Sequence, residues 1–564
     1  MDTAVATTHP TARRRTPACL VNIVILVAGS LIPVPSAQAE IVNTKLNGPL
    51  VTGGGVWDFK ISPDGNWVVY RAEQENASVV DLYSVPIEGG TPTRLNTPLP
   101  QNFGVGSYAI TPDSRYVVLL AVLDTSPFEE LYRVPIEGPP QARIKLNKPL
   151  PTGGGVWNFQ ISPDGNRVVY WAEQDTDGVF ELYCVPSDGP ATASVKISGP
   201  LVENGDVSWY KISPDSARVV YVADQQVDGT LELYSVPIAG PADAWVKLNG
   251  PLVSQGWVDN TYEITADGSR VVYRAVQLIA DTNELFSVPI EGPASLGERI
   301  NGTLVSGGRV VSFRVSPNGS RVVYRADQDV DEFYELYSVP IAGPASTAAK
   351  INHAPAADGR IHTFAISPDG GRVVYCVTDQ GIGVALHSVP TDGPPGQSVK
   401  ITKDLDPGGH ISSLFKISPD SAHVVSLGIQ TIPGDSEVFS VPITGPPTEW
   451  KRLNRTLGSG EYLIAGADDI SPDSSRVIYR ANQFNIFLGE NRLLLYSVPI
   501  DGPGTASIRL NGATVDGCEV EERPRFAPDS EHVVYLADQD TDEVSELYVS
   551  YDKPTAARNW HGYE

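Results

Sequence analysis

The chain of 564 residues holds one methionine and four cysteines, and its 41 lysines and arginines face 67 aspartates and glutamates, a formal net charge of −26 at pH 7. Each scarcity excludes something. A surface so short of positive charge repels nucleic acid and anionic membrane surfaces. Cys184, Cys376 and Cys518 lie far apart and form no C-x-x-C pair, so neither a disulfide framework nor a thiolate metal site is expected. Beyond residue 39 no run of 18 apolar residues occurs, so no membrane-spanning helix is expected, and no stretch there carries a helical period. A G-x-S-x-G elbow and an H-E-x-x-H pair are missing. Gly53-Gly54-Gly55 and Gly153-Gly154-Gly155 lack the Lys-Ser/Thr that would make them phosphate loops, and read as turns. A serine-hydrolase elbow, an H-E-x-x-H zinc site and a phosphate loop therefore have no signature here.

The amino end reads as an export signal. Arg13-Arg14-Arg15 form a basic region, Cys19 to Ile32 is largely apolar, and Ala37-Gln38-Ala39 is an A-x-A cleavage site. Residues 1–39 are expected to be removed, leaving a still more acidic, soluble protein that is periplasmic or secreted. Residues 40–551 are one repeat array, and 552–564 a polar tail.

What fills the chain is one sentence written ten times: F-x-I-S-P-D-G-x-R-V-V-Y-x-A-x-Q, then E-L-Y-S-V-P-I-x-G-P, then K-L-N-x-P-L. The turn anchor falls at Ser62, Thr111, Ser162, Ser213, Thr265, Ser316, Ser367, Ser418, Ser471 and Ala527. A period near 51 residues with β-rich content indicates a solenoid or a propeller. In the third copy, Trp157–Ile161 is a first strand, Ser162-Pro163-Asp164-Gly165 a tight turn, and 167–172 a second strand rich in β-branched and aromatic residues. Glu181–Val185 is a third strand, closed by a proline that cannot donate to a ladder, and Val195–Ile197 a short fourth. Four antiparallel strands on short loops make one propeller blade.

The S-P-D-G turn with its V-V-Y and L-Y-S-V strands resembles the PD40 repeats of TolB-type β-propellers, a WD40-like group, over about residues 41–551. The resemblance implies a propeller fold and an envelope protein partner, although TolB's separate N-terminal domain finds no counterpart. Some propellers of this type are joined to a serine hydrolase domain, whose nucleophile elbow is missing here. Departures occur at Thr265-Ala266-Asp267, at Asn318, and in copies 9 and 10, where Asp468 and Pro524 replace the aromatic before the anchor.

Residues 41–47 are a fourth strand with no blade before them, and the last copy lacks its own fourth strand. The N-terminal strand is expected to complete blade 10 and close a ten-bladed ring, which removes two exposed edges. Two smaller propellers are the alternative.

Candidate sites follow from the repeat. The residue two before each anchor is mostly polar and should line the channel: Lys60, Lys211, Arg314, Lys416 and Arg525 are cations, Glu263 and Asp469 anions. Either these cations attract an anionic small molecule or acidic peptide, or each pairs with an acid on a neighbouring blade. In the loop after the second strand, Asp175, Asp177 and Glu181, Asp327, Asp329 and Asp331, and Asp538, Asp540 and Asp542 alternate as hard-cation ligands do, so structural Ca²⁺ is a candidate cofactor, against a merely solvated acidic hairpin. Glutamine recurs after the second strand (Gln74, Gln174, Gln225, Gln277, Gln328, Gln430, Gln483, Gln539, with Gln380 one residue late) and reads as a structural amide. The turn aspartate is expected to cap its turn and pair with the arginine three residues on. Aromatics three before the anchor (Phe59, Tyr108, Phe159, Tyr210, Tyr262, Phe313, Phe364, Phe415) read as packing between blades, and His362 and His410 approach the channel.

The resulting reading is an all-β, exported, non-catalytic binding or scaffold module, with its protein, peptide or anionic ligand in the channel or on a loop face. The alternatives are a channel-site lyase or hydrolase on carbohydrate or peptide, and a calcium-stabilised surface or adhesion protein.

Overall fold

The computed structural model describes residues 43–552, apart from 124–126, 354–358, 380–382, 405–409, 430–435, 459, 465, 486–489, 513, 516 and 522. The proposed export signal, the tail from 553, Gln380 and Gln430 lie outside the described residues.

Ten antiparallel sheets follow one another; nine take strands a to d in chain order, and the tenth takes its strand d from the amino end. Blade 3 shows the plan: strand a is Val156–Ile161, b Arg167–Ala172, c Glu181–Pro186 and d Val195–Lys196. The a–b turn forms because Ser162 Oγ donates to Asp164 Oδ1 (2.5 Å), which also accepts the Asn166 N–H (3.0 Å). Strands b and c pair Val168 with Val185 and Tyr170 with Tyr183, and the two tyrosine rings stack at 5.5 Å. Short 3₁₀ turns such as Ala191–Ala193 link c to d; three residues are too few to leave a period in the sequence.

The expected ion pair between the turn aspartate and the following arginine is replaced by another contact. Arg218, Arg270, Arg321, Arg372 and Arg476 donate Nε to a serine on strand c (Ser235, Ser287, Ser338, Ser388 and Ser497) at 2.7–2.9 Å. The aspartate's Oδ1 is already held by its own turn.

Each blade has two apolar faces and must bury both. Ten apolar cores do this, one at each seam between consecutive blades. Val69 and Leu82 of blade 1 pack on Tyr108, Val117 and Leu119 of blade 2. The tenth core joins Val534, Leu536, Leu547 and Val549 of blade 10 to Val56, Val68 and Tyr70 of blade 1. Because every seam is filled, including the last, the ten blades form a single ring.

The closure is the one expected, with the strand ending at Lys45 and residues 41–42 outside the described residues. Asn43–Lys45 pairs with Glu546–Tyr551 as strand d of blade 10, with Asn43 opposite Ser550 and Lys45 opposite Tyr548. Lys45 forms an ion pair with Glu546, and Asn47 Oδ1 accepts the Leu547 N–H at 2.7 Å. Equivalent pairs recur inside other blades, such as Arg299 with Glu284 at 2.9 Å, so the amino end substitutes for the missing strand contact by contact.

The inner edge is regular except near this closure. In blade 9 strand a is split into Tyr462–Leu463 and Asp469–Ile470, and in blade 10 it shrinks to Arg525–Phe526. These are the two copies that lack the aromatic before the anchor, and Pro524 cannot donate to a ladder. Among the described residues no helix is long and apolar enough to cross a membrane.

Candidate functional site in the central channel

Strand a of each blade has its outer side paired to strand b and its inner edge unpaired, which leaves backbone groups in need of partners. In six blades the polar residue two before the anchor supplies them from the preceding blade. Lys60 Nζ donates to the Tyr108 carbonyl, Lys211 Nζ to the Tyr262 carbonyl (2.5 Å), and Lys416 Nζ to the Asp468 carbonyl. Glu263 and Asp469 do the reverse, accepting the N–H of Val315 (2.7 Å) and Phe526 (3.1 Å). Gln160 does both, donating to the Tyr210 carbonyl at 3.0 Å and accepting from Ile212 at 3.4 Å. One position thus stitches neighbouring inner strands together, with the side chain's polarity choosing the backbone group. The period-2 pattern revealed that these residues were wet, and nothing in it revealed this backbone role.

Three of the five cations lie near an acid on a neighbouring blade. Arg314 lies 3.3 Å from Glu263, and Lys416 and Arg525 each lie 3.8 Å from Asp469. Lys60 and Lys211 instead sit over the rings of Tyr108 and Tyr262, 4.6 and 4.9 Å from the centroids. Burial holds the ammonium of Lys60 below its usual range, with Asp58 opposing and Arg71 adding to the shift; Lys211 and Lys416 are lowered by burial in the same way.

The five cations do not share one site. Lys60 and Arg525, from equivalent places on blades 1 and 10, line one cavity of about 590 Å³ with Phe59, Pro63, Pro472 and Pro528. Arg314 lines another, of about 230 Å³, with Arg325 and His362. His362 Nε2 is 2.5 Å from Thr378 Oγ1, and His410 is exposed at the start of strand a in blade 8.

The aromatics before the anchor bridge blades as expected: the hydroxyls of Tyr108, Tyr210 and Tyr262 donate to the carbonyls of Val69, Val169 and Val220. Sequence reasoning missed the β-bulge that precedes them. In blades 1 and 3 the inserted residue is Trp57 or Trp157, exposed to 61% and 58% on the innermost strand. An apolar residue at that place broke the alternation, which was the available signal.

The acidic loops use their carboxylates locally. Asp327 accepts the N–H groups of Arg309 (2.5 Å) and Glu332 (3.1 Å), and Asp538 those of Glu519 (2.5 Å) and Glu543 (3.2 Å). Asp329 pairs with Lys350 at 2.8 Å, Asp540 lies 3.6 Å from Lys45, and Glu181 pairs with Lys196. Asp175 is exposed, and Asp177 and Asp331 lie near Gly153 and Gly307. Among the described residues no group of three or more His, Cys, Asp or Glu is gathered closely enough to hold a metal ion. The recurrent glutamine binds backbone, Gln74 Oε1 accepting the Gly48 N–H at 2.8 Å.

No protein-family model matches the chain, and no curated protein matches it. Among solved structures, a eukaryotic initiation factor matches with a TM-score of 0.44 and 13% identity, over 72% of this chain and 90% of that one. The tricorn protease matches with a TM-score of 0.28 and 16% identity, over 88% of this chain and 44% of that one. A putative TolB from Agrobacterium tumefaciens matches with a TM-score of 0.26 and 20% identity, over 46% of this chain and 83% of that one. Likenesses this distant carry nothing about ligand or activity.

Proposed function

We propose that this protein is an exported, PD40-type binding module that holds an anionic ligand, an acidic peptide or a small anion, at the channel end of the seam between blades 10 and 1. The observation that carries the reading is the convergence of Lys60 and Arg525 on one cavity of about 590 Å³ in a chain of net charge −26. Two cations beside apolar Phe59, Phe526 and three prolines suit a ligand with an acidic group on a hydrocarbon body. Among the described residues Arg525 has only a distant carboxylate partner, Asp469 at 3.8 Å, and Lys60 retains N–H donors beyond the one given to Tyr108. The irregular strands a of blades 9 and 10 make this the part of the rim least like the rest.

The test is fluorescence anisotropy with a labelled hexaglutamate peptide at low ionic strength. Binding should weaken at least tenfold in Lys60→Gln/Arg525→Gln and hold in Arg314→Gln. Equal affinity in the double variant and the wild type would reject the site.

A further inference from the structure

Three residues that break the repeat meet at one seam, on the turn face between blades 2 and 3. In five blades an arginine opens strand b and donates to a serine on strand c. Blade 2 reverses the pair: Tyr116 opens strand b, and Arg133 stands on strand c where Ser84, Ser235, Ser287, Ser338, Ser388, Ser440 and Ser497 stand elsewhere. The Arg133 guanidinium lies over the Tyr116 ring, 3.7 Å from its centroid. Across the seam, blade 3 carries Ser187 where other blades bury an isoleucine, among them Ile136, Ile238 and Ile290. A serine there removes the hydrocarbon that would fill the space.

These three residues line a cavity of about 400 Å³ together with Asp113, Asp164 and Asp188. Two of those acids serve their own turns: Asp113 Oδ1 accepts from Thr111 Oγ1 and the Arg115 N–H, and Asp164 accepts from Ser162, Asn166 N–H and Asn166 Nδ2. Among the described residues, the side chains of Arg133 and Asp188 make no ion pair or hydrogen bond, with each other or with any other group. The Tyr116 ring supports the guanidinium without taking a hydrogen bond from it, so its fork of donors is available for a carboxylate. Beside the turn-bound carboxylates of Asp113 and Asp164, the cavity therefore presents one guanidinium and one further carboxylate that do not pair with each other.

We infer that this cavity binds a small zwitterion of α-amino-acid size, its carboxylate on Arg133 and its ammonium on Asp188. A ligand with both charges satisfies both groups, whereas a simple anion or cation leaves one unmatched. The volume lies toward the lower end of the roughly 300–1,000 Å³ usual for small-molecule pockets. This site is separate from the channel cavity and does not rest on it.

The test is isothermal titration of the full chain with each of the twenty L-α-amino acids, followed by acetate and ethylammonium as half-ligands. At least one amino acid should bind one to one, with both half-ligands at least tenfold weaker. Arg133→Ser restores the residue of seven other blades, so the fold should hold while affinity falls at least tenfold. Ser187→Ile refills the space, and should give the same loss with an unchanged or higher melting temperature. Lys60→Gln/Arg525→Gln should leave the binding intact. Silence with all twenty amino acids, binding retained in Arg133→Ser or Ser187→Ile, acetate binding as tightly as the amino acid, or loss in the channel variant would each overturn the inference.

Discussion

Lys45 and Glu546 form an ion pair across 501 positions of sequence, and with it the ring is shut. Glu546 is nearly buried, its side chain 7% exposed, and its second oxygen accepts the Tyr548 hydroxyl at 2.7 Å. Removing the lysine leaves a carboxylate with little water and no cation. Lys45→Ala should cost on the order of 2–3 kcal/mol, because breaking a buried pair from one side exceeds what the pair contributes. Lys45→Ala/Glu546→Gln should recover part of that loss. Chemical denaturation of the three chains checks it, and equal stability of Lys45→Ala and wild type would show that the clasp is held by backbone pairing alone.

A second prediction concerns the turns. Ser114, Ser216, Ser421, Ser474 and Ser530 lie in the left-handed region, with φ between 60° and 63°. Each hydroxyl accepts the aspartate N–H of the preceding blade's turn at 3.0 Å, as Ser216 does from Asp164. Ser216→Ala loses that bond and keeps the unfavourable backbone, and should destabilise by about 1–2 kcal/mol. Ser216→Gly loses the same bond but relieves the backbone, so it should lie nearer wild type. Thermal melts that rank alanine above glycine would refute the account.

Blade 7 supplies a pH dependence. His387 occupies the place of Tyr183 or Phe286, stacks on His353 at 4.3 Å and is 5% exposed. Burial, with His353 and Lys400 nearby, pushes its pKa down to about 3. A free imidazole titrates near 6.5, so the unfolded chain takes up the proton first as pH falls. The stability tied to this residue is complete above about 6.5 and is lost progressively toward pH 3, by an amount on the order of a few kcal/mol. His387→Phe removes the titration. The melting temperatures of wild type and variant should therefore diverge as pH is lowered from 7 to 4, with the wild type falling faster; parallel curves would exclude His387.

The acidic loops give a fourth. Asp327 and Asp538 already accept two backbone N–H groups each, and Asp329 holds Lys350. Millimolar Ca²⁺ should leave the melting temperature unchanged. A rise that disappears in Asp329→Asn would assign a cation to the loop of blade 6 instead.

Architecture was legible in the sequence because the repeat states each blade's needs separately. The S-P-D turn, the V-V-Y strand and the terminal K-L-N segment each point to a local structure whose partner is also in the text. Lys60 and its equivalents were legible as the polar side of strand a for the same reason. Their hydrogen bonds to Tyr108 and Tyr262 were not, because a side chain's choice between a ligand and a neighbour's carbonyl depends on how closely the inner strands approach. The cavity beside Arg133 was hidden differently. Its three residues sit in two copies of the repeat, each an ordinary substitution when read alone, and only adjacency in the ring brings them together.

The clasp also dictates an order of assembly. Asn43–Lys45 leaves the ribosome some 500 residues before its partner strand Glu546–Tyr551. At about 5–20 residues per second that is on the order of 25–100 seconds of synthesis. Throughout that interval the earliest strand waits unpaired, and blade 1 has no neighbour on one flank. A chain interrupted before Tyr548 keeps both liabilities.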